Sequence, residues 1–249
     1  MAAAGGYGIL AGSGFAALGS GATGRQLTTR FGRPSSAPRQ LRIGTQEPWL
    51  VLRHGENHDI PPHAINYRAN LAALAQLGVR RVIALNTVGV IGARPAPGGL
   101  AVPDQLIDYS WGRVHSIYHG AHAKLDHVDF TEPFATELRA GLLAAAAAAG
   151  VSCRDGGVYG VTQGPRLETA AEVDRMVGTG VDYLGMTGMP EAGIARELGM
   201  DYAMLSLVVN HAAGRGERAI HEDIEDSTMR ARQNAMRILE RFLGDGGGA

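Results

Sequence analysis

Residues 64–89 read AINYRANLAALAQLGVRRVIALNTVG. Ile65, Leu71, Leu74 and Leu77 recur near helical spacing, and Gly78 follows as a C-terminal stop, so the spacing predicts a helix over 64–77. From Arg81 to Asn86 the apolar residues fall on consecutive positions, as in a strand buried on both faces. The same alternation runs outward in both directions. Residues 7–11, 49–53, 157–162, 181–184 and 202–210 read as strands; 132–149, with Thr131 as N-cap and Gly150 as stop, 190–198 and 222–243 read as helices. The expected fold class is α/β, with residues 1–249 as a single domain and a frayed glycine-rich tail over 244–249. No internal repeat, charge block or interdomain linker interrupts this order.

Composition narrows the function. The 23 Lys plus Arg and 24 Asp plus Glu leave a formal charge of −1, which removes the basic footprint of a nucleic-acid binder. One cysteine, Cys153, excludes an internal disulfide and a multi-cysteine zinc module and fits a reducing cytoplasm. No stretch is long and apolar enough to cross a bilayer, and the N-terminus lacks the basic region of a secretory signal, so no membrane partner is expected. Glycine is unusual: 36 residues are about twice the average usage of roughly 7%. Many of them, among them Gly12, Gly14, Gly55, Gly89, Gly164, Gly185 and Gly188, fall at or just after strand ends, where α/β sheets bind ligands.

The loop Ala11-Gly12-Ser13-Gly14-Phe15 follows a strand. Gly12, Gly14 and Ala17 satisfy G-x-G-x-x-A, but residues 30–42 contain no acidic residue to bind a dinucleotide ribose. A phosphate cradle, in which successive amides and the Ser13 hydroxyl form an anion nest, is preferred over that reading and over a plain tight turn. Arg53-His54-Gly55-Glu56 ends another strand. Histidine phosphatases begin in this way, with the histidine, here His54, as phosphoryl acceptor. Against that reading, Ile60 stands where that family expects Asn. Under either enzyme reading Arg53 is suited to clamp an anion with two parallel N–H bonds.

Four ordered motifs carry a more specific resemblance: Arg53-His54-Gly55-x-x-His58 continuing to Asn66-Tyr67-Arg68-Ala69-Asn70; Asn86-Thr87-Val88-Gly89; Gly164-Pro165-Arg166-Leu167-Glu168-Thr169; and Gly185-Met186-Thr187-Gly188-Met189-Pro190-Glu191. Together they resemble the purine nucleoside phosphorylase and methylthioadenosine phosphorylase family over nearly the whole chain. Residues 162–168, 186–198 and 207–214 are most similar to bacterial S-methyl-5′-thioinosine phosphorylases, also called 6-oxopurine nucleoside phosphorylases. The resemblance implies a three-layer α/β/α fold with a mixed central sheet and a homotrimer, or a dimer of trimers. It also implies a cytoplasmic pentosyltransferase of purine salvage, which needs no metal or organic cofactor and takes inorganic phosphate as co-substrate. By similarity Ser13, Arg53, His54, Asn86, Thr87 and Thr187 hold phosphate, Met186 packs on the ribose, Leu167 lies by the substrate, and Asn210 and His54 are the catalytic pair.

The base-pocket residues point to a substrate class. Methylthioadenosine phosphorylases, the alternative within the family, carry two aspartates where this chain has Asn210 and Ala212, and a small hydroxyl residue in place of Glu168. A Glu168 carboxylate accepts from the N1–H of hypoxanthine or guanine but meets the N1 of adenine lone pair to lone pair; the Asn210 amide donates toward O6 or N7. Both changes favour 6-oxopurines. A helix N-terminal carboxylate is the other reading of Glu168. His221 stands where inosine and guanosine phosphorylases carry a histidine that meets the 5′-hydroxyl and where methylthio-specific relatives are apolar. It reads equally as a surface histidine at a helix start, and the 5′ preference stays open. His115, His119, His122 and His127 lie in a loop without a metal-ligand frame. By similarity His127, near Val128 and Phe130, reaches instead into the neighbouring subunit's site.

Overall fold

The computed structural model of the chain describes residues 6–15, 17–118, 125–217 and 224–244. In chain order its strands are β1 (Gly6–Ala11), β2 (Arg39–Gln40), β3 (Trp49–Leu52), β4 (Val79–Val90), β5 (Leu100–Val102), β6 (Gln105–Asp108), β7 (Cys153–Asp155), β8 (Val158–Val161), β9 (Tyr183–Gly185) and β10 (Asp201–His211). The helices are α1 (Tyr67–Gln76), α2 (Thr136–Ala148), α3 (Ala170–Val177), α4 (Glu191–Glu197) and α5 (Ile224–Gly244).

The strands form one mixed sheet in the order β2-β3-β1-β4-β10-β5-β7, and β4 also pairs β9, which continues through β8 to β6. At its centre β3, β1, β4 and β10 are parallel. Alternate side chains of these strands face opposite layers, which is why the runs read as continuously apolar. Ile9, Leu50, Leu52, Ile83, Leu85 and Leu205 pack with α2 and α5; Leu10, Val51, Val82, Ala84 and Met204 pack with α1 and α4 on the other side. The three-layer expectation therefore holds. A smaller cluster of Val173, Met176, Val181, Leu184 and Ala212 seats α3 on the β9 extension.

Several boundaries differ from expectation for local reasons. Strand β4 runs on to Val90 because Gly89 and Val90 pair both β10 and β9. Helix α2 starts at Thr136 with Ala135 as an uncapped N-terminus; the expected cap, Thr131, instead gives its amide to Asp129 Oδ1 at 2.9 Å in a tight turn. Helix α1 starts later than expected because Asn66 caps it, accepting from the Ala69 amide at 3.1 Å. Helix α3, not foreseen, is fixed by a capping box between Thr169 and Glu172. The start of the helix expected at 222, and residues 245–249 of the expected tail, lie outside the described residues.

Register brings distant residues together. Ala11 is level with Leu52 on one side and Leu85 on the other, and Ser206 is level with Asn86. The segments that follow β1 and β3 and the polar end of β4 thus emerge at one edge. Within β10, Val208 pairs Val88 but Asn210 pairs Gly89, so Val209 is an extra residue. This bulge re-aims Asn210 relative to an unbroken strand.

Candidate active site

A cavity of about 790 Å³ opens at that edge. Ser13, His54, Asn86, Thr87, Leu167, Glu168, Met186, Thr187, Asn210 and Ala212 all line it. Ten residues read from separate segments of the sequence therefore meet in one place.

The floor is the turn after β1. Gly12 gives its amide to Leu85 O at 3.1 Å, and the Phe15 amide closes back on Gly12 O at 3.4 Å. The Ser13 hydroxyl lies 3.3 Å from His58 Nε2. Beside the turn, Asn86 Nδ2 donates to Thr187 Oγ1 at 2.8 Å. With its oxygen accepting from Asn86, the Thr187 hydroxyl keeps its own proton for another acceptor. Asn86 Oδ1 is buried and has no partner among the described residues, so a polar atom at the cavity wall is left for a ligand or water to satisfy.

His54 Nδ1 lies 2.8 Å from Ile60 O. A carbonyl only accepts, so Nδ1 carries the proton and Nε2 holds the lone pair. Burial lowers the His54 pKa to about 4; the Ile60 hydrogen bond opposes the shift, and the charges of Arg53 and His58 add to it. The imidazole is therefore neutral at pH 7 and serves as an acceptor.

Arg53 corrects the sequence reading. It lines no part of the cavity and is fully buried. Its Nε and Nη2 donate to Glu191 Oε2 and Oε1, each at 2.8 Å. Nη2 also reaches Leu10 O, and Nη1 reaches Leu85 O, both at 3.2 Å. The expected bidentate clamp on phosphate is instead a bidentate clamp on Glu191, placed behind Gly12. Burial works against the guanidinium charge, but the Glu191 carboxylate outweighs it and raises the Arg53 pKa further. The Tyr202 hydroxyl donates to Glu191 Oε1 at 2.8 Å and completes the network.

At the other end of the cavity, Asn210 Nδ2 donates to His211 O at 2.6 Å. One N–H and Oδ1 of this amide remain available. A Cβ on Gly89 would lie 3.1 Å from Asn210 Nδ2, so glycine at 89 makes room for the amide. Glu168 precedes the Thr169 cap, and Thr169 and Glu172 already satisfy the start of α3. Glu168 therefore makes no cap bond itself, and as the residue before the N-cap it both lines the cavity and stands at the N-terminal end of α3.

Two expected site residues fall elsewhere. His127 is exposed and does not line its own chain's cavity. His221, like His119 and His122, lies outside the described residues. Conversely, the sequence reading missed Glu225, Thr228, Met229 and Arg232, an i, i+3, i+4, i+7 stripe by which α5 lines the cavity. Their spacing was the available signal. It also missed Arg113, whose buried guanidinium holds the carbonyls of Thr162 at 3.1 Å, Gln163 at 2.8 Å and Met186 at 2.9 Å. It thereby ties the strand ends that carry the Met186-Thr187 wall.

Residues 7–244 match the model of the Phosphorylase superfamily. The chain belongs to that superfamily. This phosphorylase-superfamily chain is 53% identical over 194 residues, 78% of each protein, to the "Probable S-methyl-5'-thioinosine phosphorylase" of Xylella fastidiosa strain Temecula1. It is 40% identical over 203 residues to the 6-oxopurine nucleoside phosphorylase of Pyrococcus furiosus, covering 79% of this chain and 77% of that protein. Among solved structures, a methylthioadenosine phosphorylase from Schistosoma mansoni in complex with tubercidin superposes with a TM-score of 0.89 at 28% identity, over 98% of this chain and 93% of that one. The matched residues span every element described above except Gly6, the first residue of β1. No helix among the described residues is long and apolar enough to cross a membrane.

Proposed function

We propose that this phosphorylase cleaves 6-oxopurine nucleosides, namely S-methyl-5′-thioinosine, inosine or guanosine, by phosphate attack at C1′. The products are the free base and the corresponding ribose 1-phosphate. The observation that carries this reading is that one cavity holds both the Gly12-Ser13-Gly14 turn and the Glu168 and Asn210 side chains. The names of the 53% and 40% identical relatives support the same substrate class.

The chemistry follows from placement. A phosphate oxygen forms a bond to C1′ as the C1′–N9 bond breaks, and its electron pair passes to the purine. Catalysis is then mainly positioning plus stabilisation of charge on ribose and base. The turn after β1, Thr187 and Thr87 hold phosphate, and neutral His54 accepts from a protonated phosphate oxygen. Met186 packs on the ribose. The free N–H of Asn210 stabilises negative charge at N7 or O6, and Glu168 accepts from N1–H. Adenine, with a lone pair at N1, leaves Glu168 unpaired, and such mismatches of buried polar groups discriminate by about 10⁴-fold.

We assign the protein to the cytoplasm, with phosphate as co-substrate and no organic cofactor or metal. We further assign it a homotrimer in which His127 serves the neighbouring site, a reading supported by its exposure outside its own cavity. Turnover of inosine, guanosine, S-methyl-5′-thioinosine and adenosine, each with and without phosphate, tests the reading. A 6-oxopurine nucleoside as best substrate, with strict phosphate dependence, is expected. Turnover indifferent to phosphate, or adenosine as best substrate, overturns it.

A further inference from the structure

The proposed reaction asks the cavity to hold an anion, yet the guanidinium expected to clamp it, Arg53, is paired with Glu191 and lines no part of the cavity, and the buried His54 imidazole is neutral. Among the residues that line the cavity, Arg232 is the single Lys or Arg. Its Nη1 donates to Gly14 O at 3.2 Å, and no carboxylate lies within ion-pair distance of it among the described residues. One helical turn before it, Thr228 Cγ2 stands 2.9 Å from where a Cβ on Gly14 would be. Helix α5 therefore rests on the anion turn at Gly14.

We propose that Arg232 is a phosphate-positioning residue. It acts in two ways, and the inference rests on the phosphorolytic reading above. The guanidinium draws the Gly14 carbonyl to itself, so the negative end of that peptide is not presented to the anion while the amides of the turn are. It also carries the positive charge that a dianion needs and that the buried Arg53–Glu191 pair does not provide. Gly14 has φ +85°, a conformation that glycine adopts without strain and that a fixed carbonyl contact helps to define.

The test uses the full chain with Arg232→Gln and Arg232→Lys, reading KM for phosphate, KM for the best nucleoside, and the Kd of inorganic phosphate by calorimetry. Arg232→Gln is expected to raise the phosphate KM and Kd about tenfold to a hundredfold, as for loss of one charge-assisted hydrogen bond. The nucleoside KM should stay within about twofold, and Arg232→Lys should recover most of the loss because the charge is kept. A phosphate Kd unchanged in Arg232→Gln overturns the proposal. So does an equal rise in both KM values, or a lysine variant no better than the glutamine one. If the parent turns over nucleoside without phosphate, the phosphorolytic reading fails while the calorimetric Kd still decides the role of Arg232; a parent that binds no phosphate overturns both.

Discussion

Arg53 and Glu191 form a two-point ion pair, with both contacts at 2.8 Å and both side chains fully buried, directly behind the turn that floors the cavity. The pair joins the end of β3 to the start of α4. Through Leu10 O and Leu85 O it also fixes the end of β1 and the middle of β4. A buried pair adds little over an apolar substitute, but removing one partner leaves an uncompensated buried charge. The relationship is therefore one in which each partner makes the other tolerable.

Glu191→Ala should accordingly lower unfolding stability by about 3–5 kcal/mol. Tyr202→Phe, which removes a single hydrogen bond to Glu191, should cost only about 1 kcal/mol. Chemical denaturation of the two variants checks both values. Equal losses would mean that the ion pair does not dominate this site.

His54 gives the protein an acid limb. Its folded pKa of about 4 lies below the ordinary value near 6.5, so between those values the unfolded state binds more protons. Stability is complete above about pH 6.5 and falls as the pH drops toward 4, by about 3 kcal/mol in all for this one group. Denaturation midpoints of parent and His54→Asn measured from pH 7 to pH 4 test this, with a shallower decline expected in the variant.

Glu168→Ser and Asn210→Asp should each relax the preference for inosine over adenosine, by at least about tenfold in the ratio of kcat/KM values. Competition assays with both nucleosides read this directly. If both variants keep the parent's ranking, these side chains do not read the base.

Gly89→Ala places a methyl group 3.1 Å from Asn210 Nδ2. The amide must shift by a fraction of an ångström, and displacement of a positioned group by 1 Å costs up to about 10²-fold in rate. A clear fall in kcat/KM with a loss of stability under about 2 kcal/mol is expected. Steady-state kinetics alongside thermal unfolding separate the two effects.

Much of the fold was legible because burial on both sheet faces leaves runs such as Val82-Ile83-Ala84-Leu85, and because Gly78 ends a helix in an identifiable way. Ten residues that line the cavity were legible from the segments that carry the family resemblance. The functions of glycines were less so. Gly185 looked like a ligand loop and does line the cavity, but a Cβ there would also lie 2.0 Å from the Tyr159 hydroxyl, a packing constraint that its place at a strand end did not show.

By itself, the sequence determined the alternation of strands and helices, the α/β class, and the residue types on which the proposed discrimination between an N1–H and a bare N1 rests. These are local properties, set by periodicity and by side-chain chemistry. Only the tertiary structure decided which charges face the cavity. A guanidinium in a strand-end motif looks the same on paper whether it meets phosphate or a carboxylate 138 residues later in the chain, and α4 brings that carboxylate to Arg53. The β10 bulge at Val209 likewise sets where Asn210 points, and α5 returns Arg232 to a turn 218 residues away. Long-range packing makes these choices, because the energy of a charge depends on its surroundings and not on its place in the chain.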